Sequence, residues 1–288
     1  MNLDEVRAKI DEVDIKIRSL FEERMKLADE VARIKAKTDD SIYKPDREKL
    51  IIEKRSENVD PHLLMEYKAL VRRIMEISRK YQYGRTLELR DCFPFHPEDT
   101  MPEIGRMAMI HPELYLCSFC SRDQVVTADD YDRIGEWISS GYADAGAGVI
   151  EEIGRGVSDE LNSMLLRYHL YINDCIVADD GRIKRKIVRF TKHLTALPAH
   201  NRVRIVFVCP NKSGALASIF SMISDYGVNV TEIHSIPFRL EKNEWNYRFF
   251  AELELNMREK EAQALLFQLS CETEMFRLLG SYCCEGDF

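Results

Sequence analysis

The chain has 288 residues, 45% of them hydrophobic and 31% charged, with a formal net charge of −8. At roughly 150 residues per domain this makes two or three domains with real cores, neither a disordered tail nor a disulfide miniprotein. The acidic balance argues against a nucleic-acid partner, and no run approaches the ~18 apolar residues of a membrane helix.

The N-terminus lacks the basic-then-apolar layout of a signal peptide, and the eight scattered cysteines read as free thiols. A cytoplasmic protein is the expectation. Charge is uneven: residues 1–90 hold 21 Lys+Arg and 19 Asp+Glu, a net of +2, which leaves −10 for the rest.

Leu3, Val6, Ile10, Val13, Ile17, Leu20, Leu27, Val31 and Ile34 recur at alternating steps of three and four, which predicts one helix over residues 3–37. Position 24 breaks the stripe with Arg24. Such a helix is about 52 Å long, too long for a compact monomer of about 85 residues, so it is expected to pack along a second copy. Pro45 opens a second helix, where a missing N–H costs nothing, and Asp60-Pro61 opens a third. Leu63, Tyr67, Leu70, Ile74, Ile77 and Tyr81 share one face of that third helix.

Between Gly84 and about Pro198 the pattern is irregular, with an expected strand at Leu114–Phe119 and a helix at Asp129–Ser140. The small-residue run Gly141–Gly148 lacks both the Lys-Ser/Thr of a phosphate loop and the third glycine of a dinucleotide fingerprint. Cys117 and Cys120 have zinc-ligand spacing, but structural zinc needs four ligands and no second pair accompanies them, so no metal is expected. From Val203 the chain reads βαββαβ: strand 203–209, helix 213–226, strands 228–236 and 247–255, helix 258–271 and strand 275–282. This is a ferredoxin-like unit.

Arg24 and Lys35 are 11 residues apart, about 20° around the helix after whole turns, so both can serve one small anion. Arg7 lies about 26 Å from Arg24 along the same helix and could reach only a partner's pocket. Arg47 and Glu48 open the second helix, and Ser78 and Gln82 share a face of the third. The competing reading is structural, with Arg24 paired to Glu23 or Asp29 on a coiled-coil surface.

Residues 3–82 resemble the all-helical chorismate mutase domain at the front of bifunctional chorismate mutase/prephenate dehydratase proteins. The matching positions are Arg7, Arg24, Lys35, Arg47, Glu48, Ser78 and Gln82. The resemblance implies conversion of chorismate to prephenate in phenylalanine and tyrosine biosynthesis, with no metal or cofactor. It also implies an intertwined homodimer in which Arg7 crosses to the other chain's site. Arg24 and Arg7 would hold the carboxylates, Ser78 and Arg47 would orient, Glu48 would accept from the ring hydroxyl, and Lys35 and Gln82 would donate to the ether oxygen.

Ala143–Glu151 resembles the matching stretch of prephenate dehydratase, but the family's Thr-Arg-Phe stands here as Val188-Arg189-Phe190. Valine has no hydroxyl, and only about 15 residues separate Asn173 from Arg189, where a second lobe would be needed. The expectation is a shortened α/β remnant without dehydratase activity, although nearby Thr191 could supply the missing group.

Residues 203–283 resemble the ACT domain: Gly214-Ala215-Leu216 matches its Gly-Ala-Leu motif, and His234-Ser235-Ile236-Pro237 replaces its Glu-Ser-Arg-Pro. This implies L-phenylalanine as a possible effector, bound near Gly214, Ala215, Leu216 and Ser235. The expected division is therefore 1–85 mutase, 86–198 dehydratase-like lobe and 199–288 ACT domain. An enzyme retaining both activities and an idle aromatic amino-acid sensor are the competing readings.

Overall fold

The computed structural model describes residues 2–114, 119–179, 181–239 and 245–284. The chain divides into two compact units, 1–93 and 94–288. Among the described residues no helix is long and apolar enough to cross a membrane.

The first unit is three helices: α1 (Leu3–Thr38), α2 (Pro45–Arg55) and α3 (Leu64–Leu89). Asn2 starts α1 with a capping box, accepting from the Glu5 N–H at 2.9 Å while its own N–H donates to the Glu5 carboxylate. Asp39, in the left-handed region at φ 56°, ends it. Pro45 takes the first turn of α2. Asp60 accepts from the His62 N–H and opens a 3₁₀ turn, Pro61–Leu63, that leads into α3.

α1 meets α3 through small residues: Ala28 and Ala32 are buried against a stripe of Val71, Met75, Ser78, Gln82, Tyr83 and Thr86. Asp29 clips the pair, accepting from Arg85 of α3 and from Arg33 of its own helix, each at 2.7 Å. Eight of the nine apolar residues of the predicted α1 stripe are 40–65% exposed, so that stripe faces away from α3. The third helix corrects the sequence reading in the same way. Leu63, Leu70 and Tyr81 of its predicted apolar face are exposed, and the face that turns inward is the mixed polar one.

The second unit is built on one ten-stranded sheet. Its elements are β1 (Met107–Met109), β2 (Val125–Thr127), α4 (Tyr131–Ser140), β3 (Ala145–Glu152), β4 (Gly156–Val157), α5 (Asp159–Arg167), β5 (Tyr171–Asp179) and β6 (Lys184–Thr191). Then follow β7 (Arg202–Val208), α6 (Ala215–Asp225), β8 (Asn229–Arg239), β9 (Trp245–Glu254), α7 (Lys260–Glu272) and β10 (Met275–Tyr282). The strand order is β2-β1-β3-β6-β5-β10-β7-β9-β8, with β4 on β3. Its last four members, β10-β7-β9-β8, carry the ferredoxin-like arrangement. The expected strand at Leu114–Phe119 falls largely outside the described residues: Leu114 ends a 3₁₀ turn and 115–118 are not described.

β5 and β10 join the two halves of this sheet at one pair, Ile172 with Gly280. Gly280 has φ +146°, and a Cβ there would stand 2.2 Å from the Ile172 carbonyl oxygen, so only glycine permits the approach. One apolar core runs through the junction: Ile134, Leu161, Ile172 and Phe190 pack with Val206, Phe250 and Leu279. The small-residue run after α4 has a packing cause. A Cβ on Gly146 would meet the Phe190 ring at 2.4 Å, and one on Gly148 the Tyr131 ring at 2.6 Å.

Candidate active site

In the helical unit, Arg24 does not pair with Glu23 or Asp29. Its guanidinium donates to the Ser78 hydroxyl, and to the Ile74 carbonyl at 3.3 Å. The same stripe carries Gln82, whose Nε2 donates to the Ser78 carbonyl at 3.2 Å. Its Oε1 is buried with no hydrogen-bond partner. The NH₂ group has a second N–H besides the one given to Ser78, so Gln82 can donate to a ligand through Nε2 and accept through Oε1.

Lys35, three turns beyond Arg24, donates to the Ile42 carbonyl at 2.9 Å and is thereby held against the loop that leads into α2. Glu48, in the first turn of α2, accepts from Arg79 at 2.5 Å, and the Arg79 guanidinium also lies 4.8 Å above the Tyr43 ring.

Burial pushes the Arg24 pKa down, nearby Arg55 adds to this, and Glu48 opposes it. Burial likewise lowers that of Lys35; Asp40 opposes, Lys44 and Arg47 add to the lowering, and Glu48 opposes. Arg24, Lys35, Arg47, Arg55 and Arg79 thus face only two nearby carboxylates, Glu48 and Asp40, and Asp40 is paired with Lys44. Positive charge drawn out of water without matching negative charge is costly, and a small dianion relieves that cost.

Six of the seven predicted residues, Arg24, Lys35, Arg47, Glu48, Ser78 and Gln82, therefore share one neighbourhood. Arg7 does not: it is exposed near the start of α1 and pairs with Asp4 at 3.4 Å. Arg79 and Arg55 were missed from the sequence. The signal was present, because Arg79 continues the i, i+4 series Val71, Met75, Arg79, Tyr83, and Arg55 lies seven residues, close to two turns, after Glu48.

In the second unit the Val188-Arg189-Phe190 stretch lies on β6. Val188 and Phe190 are wholly buried in the core, and Arg189 pairs with Asp174 at 3.2 Å. Thr191 is also buried, its hydroxyl donating to the Asn173 side chain at 2.8 Å. The short stretch between Asn173 and Arg189 is the β5–β6 hairpin, with Asp174 opposite Arg189. Glu151, on β3, is half-buried, and burial together with the Glu232 carboxylate raises its pKa.

Gly214, at φ +82°, caps α6, which begins at Ala215 and Leu216; Ser235 is exposed on β8 opposite Phe249. His234 beside it faces inward, stacked 5.3 Å from Phe250 with Nε2 3.0 Å from Asp159. Of the Cys117/Cys120 pair, Cys117 lies outside the described residues.

Residues 6–83 match the chorismate mutase type II family, and residues 203–270 match the ACT domain family. The bifunctional chorismate mutase/prephenate dehydratase of Aquifex aeolicus is 29% identical over 115 residues, 40% of this chain and 31% of that protein. The chain is thus similar to chorismate mutase type II proteins over residues 6–83 and to ACT domains over residues 203–270. The Neisseria gonorrhoeae member is 25% identical over 111 residues, 38% of this chain and 30% of its own length. The matched stretch thus spans about a third of either relative.

Three solved structures share the fold over 62% of this chain. Prephenate dehydratase from Streptococcus mutans aligns over 98% of its length at TM-score 0.52 and 15% identity. The Arthrobacter aurescens prephenate dehydratase in complex with L-Phe aligns over 90% of its length at 0.51 and 13%. GqqA, described as a novel type of quorum-quenching acylase, aligns over 93% of its length at 0.52 and 17%.

Proposed function

We propose that the chorismate mutase domain rearranges chorismate to prephenate. The observation that carries this reading is a half-buried cluster of cations, in which Arg24 is bonded to Ser78 and both Arg24 and Lys35 are lowered in pKa by burial and by neighbouring cations against Glu48, a setting suited to a dianion. The rearrangement is pericyclic, so it needs neither nucleophile nor general base; catalysis rests on positioning and on stabilising charge that grows on the ether oxygen. Arg24, with Ser78 against it, takes one carboxylate. Glu48, oriented by Arg79, accepts from the ring hydroxyl, Arg47 orients, and Lys35 and Gln82 donate to the ether oxygen.

The second carboxylate falls to Arg7 of a second copy. The exposed α1 stripe supports a homodimer in which two long helices run side by side, since a contiguous apolar surface of this kind calls for a partner. In an antiparallel pair the Arg7 end of one helix reaches the other chain's pocket.

The lobe carried by β1–β6 is proposed to lack dehydratase activity, because Val188 sits in the core and the β5–β6 hairpin stands where a second lobe would be needed. The ACT domain is proposed to take L-phenylalanine, its carboxylate at the N-terminus of α6 beside Gly214, where free N–H groups favour an anion.

The test follows chorismate loss and then phenylpyruvate formation with wild type and Gln82→Ala. Chorismate turnover that falls ~10²–10³-fold in the variant, with no phenylpyruvate, is expected. Phenylpyruvate from the wild type overturns the dehydratase part, and no chorismate turnover overturns the mutase reading.

A further inference from the structure

Two cysteines of the second unit, which the mutase reading does not use, are placed for chemistry with each other. Cys175 is on β5 and Cys284 lies just past the end of β10; both are buried free thiols. They are 109 residues apart in sequence, yet their sulfurs are 3.6 Å apart, and the Cys175 S–H donates to the Cys284 sulfur.

That hydrogen bond lowers the Cys284 pKa, and the Lys186 and Arg202 cations act in the same direction against burial and Glu252. The same bond, with burial, pushes Cys175 far up. One sulfur is thus favoured as thiolate and the other keeps its proton, the division of labour between an attacking and a resolving thiol. A cavity of about 400 Å³ lined by Asp174, Cys175, Ile176, Val177 and Cys283 opens on the Cys175 side of the pair, with the Cys284 sulfur 3.6 Å beyond that of Cys175, and is large enough for a small reagent.

We propose that Cys175 and Cys284 form a redox-active dithiol that a small hydroperoxide converts to a disulfide. The Cys284 thiolate attacks one peroxide oxygen; the S–O bond forms as the O–O bond breaks, and the departing hydroxide takes a proton to become water. Cys175 sulfur then attacks the sulfenic sulfur. The S–S bond forms as S–O breaks, and the hydroxide released takes up the Cys175 proton as a second water. Two thiols lose two electrons, and hydrogen peroxide is reduced to two waters. The sulfurs need to close by about 1.5 Å to reach bonding distance. The link would tie the β5–β6 hairpin to the end of β10, beside the Ile172–Gly280 junction.

The experiment treats the full-length wild-type protein with one to two equivalents of hydrogen peroxide, blocks remaining thiols, and maps disulfides by mass spectrometry without reduction. The expected result is a loss of about 2 Da and a single cross-link between the Cys175 and Cys284 peptides. It comes with a rise of several degrees in Tm, reversed by dithiothreitol, because a long loop has been closed. Cys175→Ser and Cys284→Ser should each abolish the link, and Cys283→Ser should keep it. The wild-type map decides the matter even where a serine variant folds poorly. Links through Cys283 or another cysteine, or added oxygen without a cross-link, overturn the proposal, as does a protein left unchanged by peroxide.

Discussion

Both units place charged side chains out of water, and they settle that charge in opposite ways. In the helical unit Arg24 and Lys35 are pushed toward neutrality by burial and by neighbouring cations, against Glu48 and, at Lys35, Asp40. In the sheet unit burial likewise works against the charge of Arg204, but Glu232 more than offsets it through contacts at 2.5 and 3.2 Å and raises the Arg204 pKa. Glu232, despite its own burial, is held at about 2 by Arg204 and His234. Beside it Lys186 and Tyr282 both donate to Glu252, each at 2.5 Å. The difference separates a site from a structural network. Compensated charges hold strands together, whereas an excess of one sign on a half-open face marks the place where a ligand completes the balance.

The largest expected effect that sharpens this contrast is on stability. Glu232→Gln leaves Arg204 buried without its ion-pair partner and should cost about 3–5 kcal/mol in urea unfolding of the second unit. Gln82→Ala is expected to raise the activation barrier by about 3–4 kcal/mol and to cost only about 1 kcal/mol in urea unfolding, since it gives up one hydrogen bond, to the Ser78 carbonyl, while its Oε1 has no protein partner to lose. Gly280→Ala brings a Cβ onto the Ile172 backbone and should cost about 3 kcal/mol, read as a fall in Tm.

The acid limb gives a further test. The Glu232 pKa is depressed on folding from an ordinary 4.5 to about 2, so its stabilisation is complete above about pH 4.5 and is lost as pH falls toward 2. Glu232→Gln should flatten the stability profile in that window. The smallest stability effect is at Arg7, whose exposed pair with Asp4 is worth ~0.5 kcal/mol or less. Arg7→Ala should therefore leave Tm within a degree or two while chorismate turnover collapses, which separates a residue held for a partner's site from one held for the fold.

The helical unit was the more legible of the two in the sequence. Its three helices were marked by Pro45, Asp60-Pro61 and the α1 period, and six of the residues proposed for the site were picked out by spacing and resemblance. What spacing did not reveal was which way α3 faces. Periodicity says which residues share a face and is silent on what covers it, so Leu63, Leu70 and Tyr81 read as core and are exposed, while Arg79 was passed over.

In the second unit the βαββαβ order was legible because each element has its own period and turn signals. The continuity of its sheet was not. The joining contact is one residue pair 108 positions apart, between Ile172 and Gly280, and it depends on the absence of a side chain rather than on a pattern. Long-range pairings such as Lys186 with Glu252 and Cys175 with Cys284 leave no local trace either.

The most direct test of the central claim is calorimetric titration of the intact protein with prephenate, comparing wild type, Arg24→Ala and Gly214→Ala. Binding at one site per chain that weakens at least tenfold in Arg24→Ala and is unchanged in Gly214→Ala would bear out a helical pocket completed by a dianion. Equal binding by wild type and Arg24→Ala, or no binding at all, would contradict it.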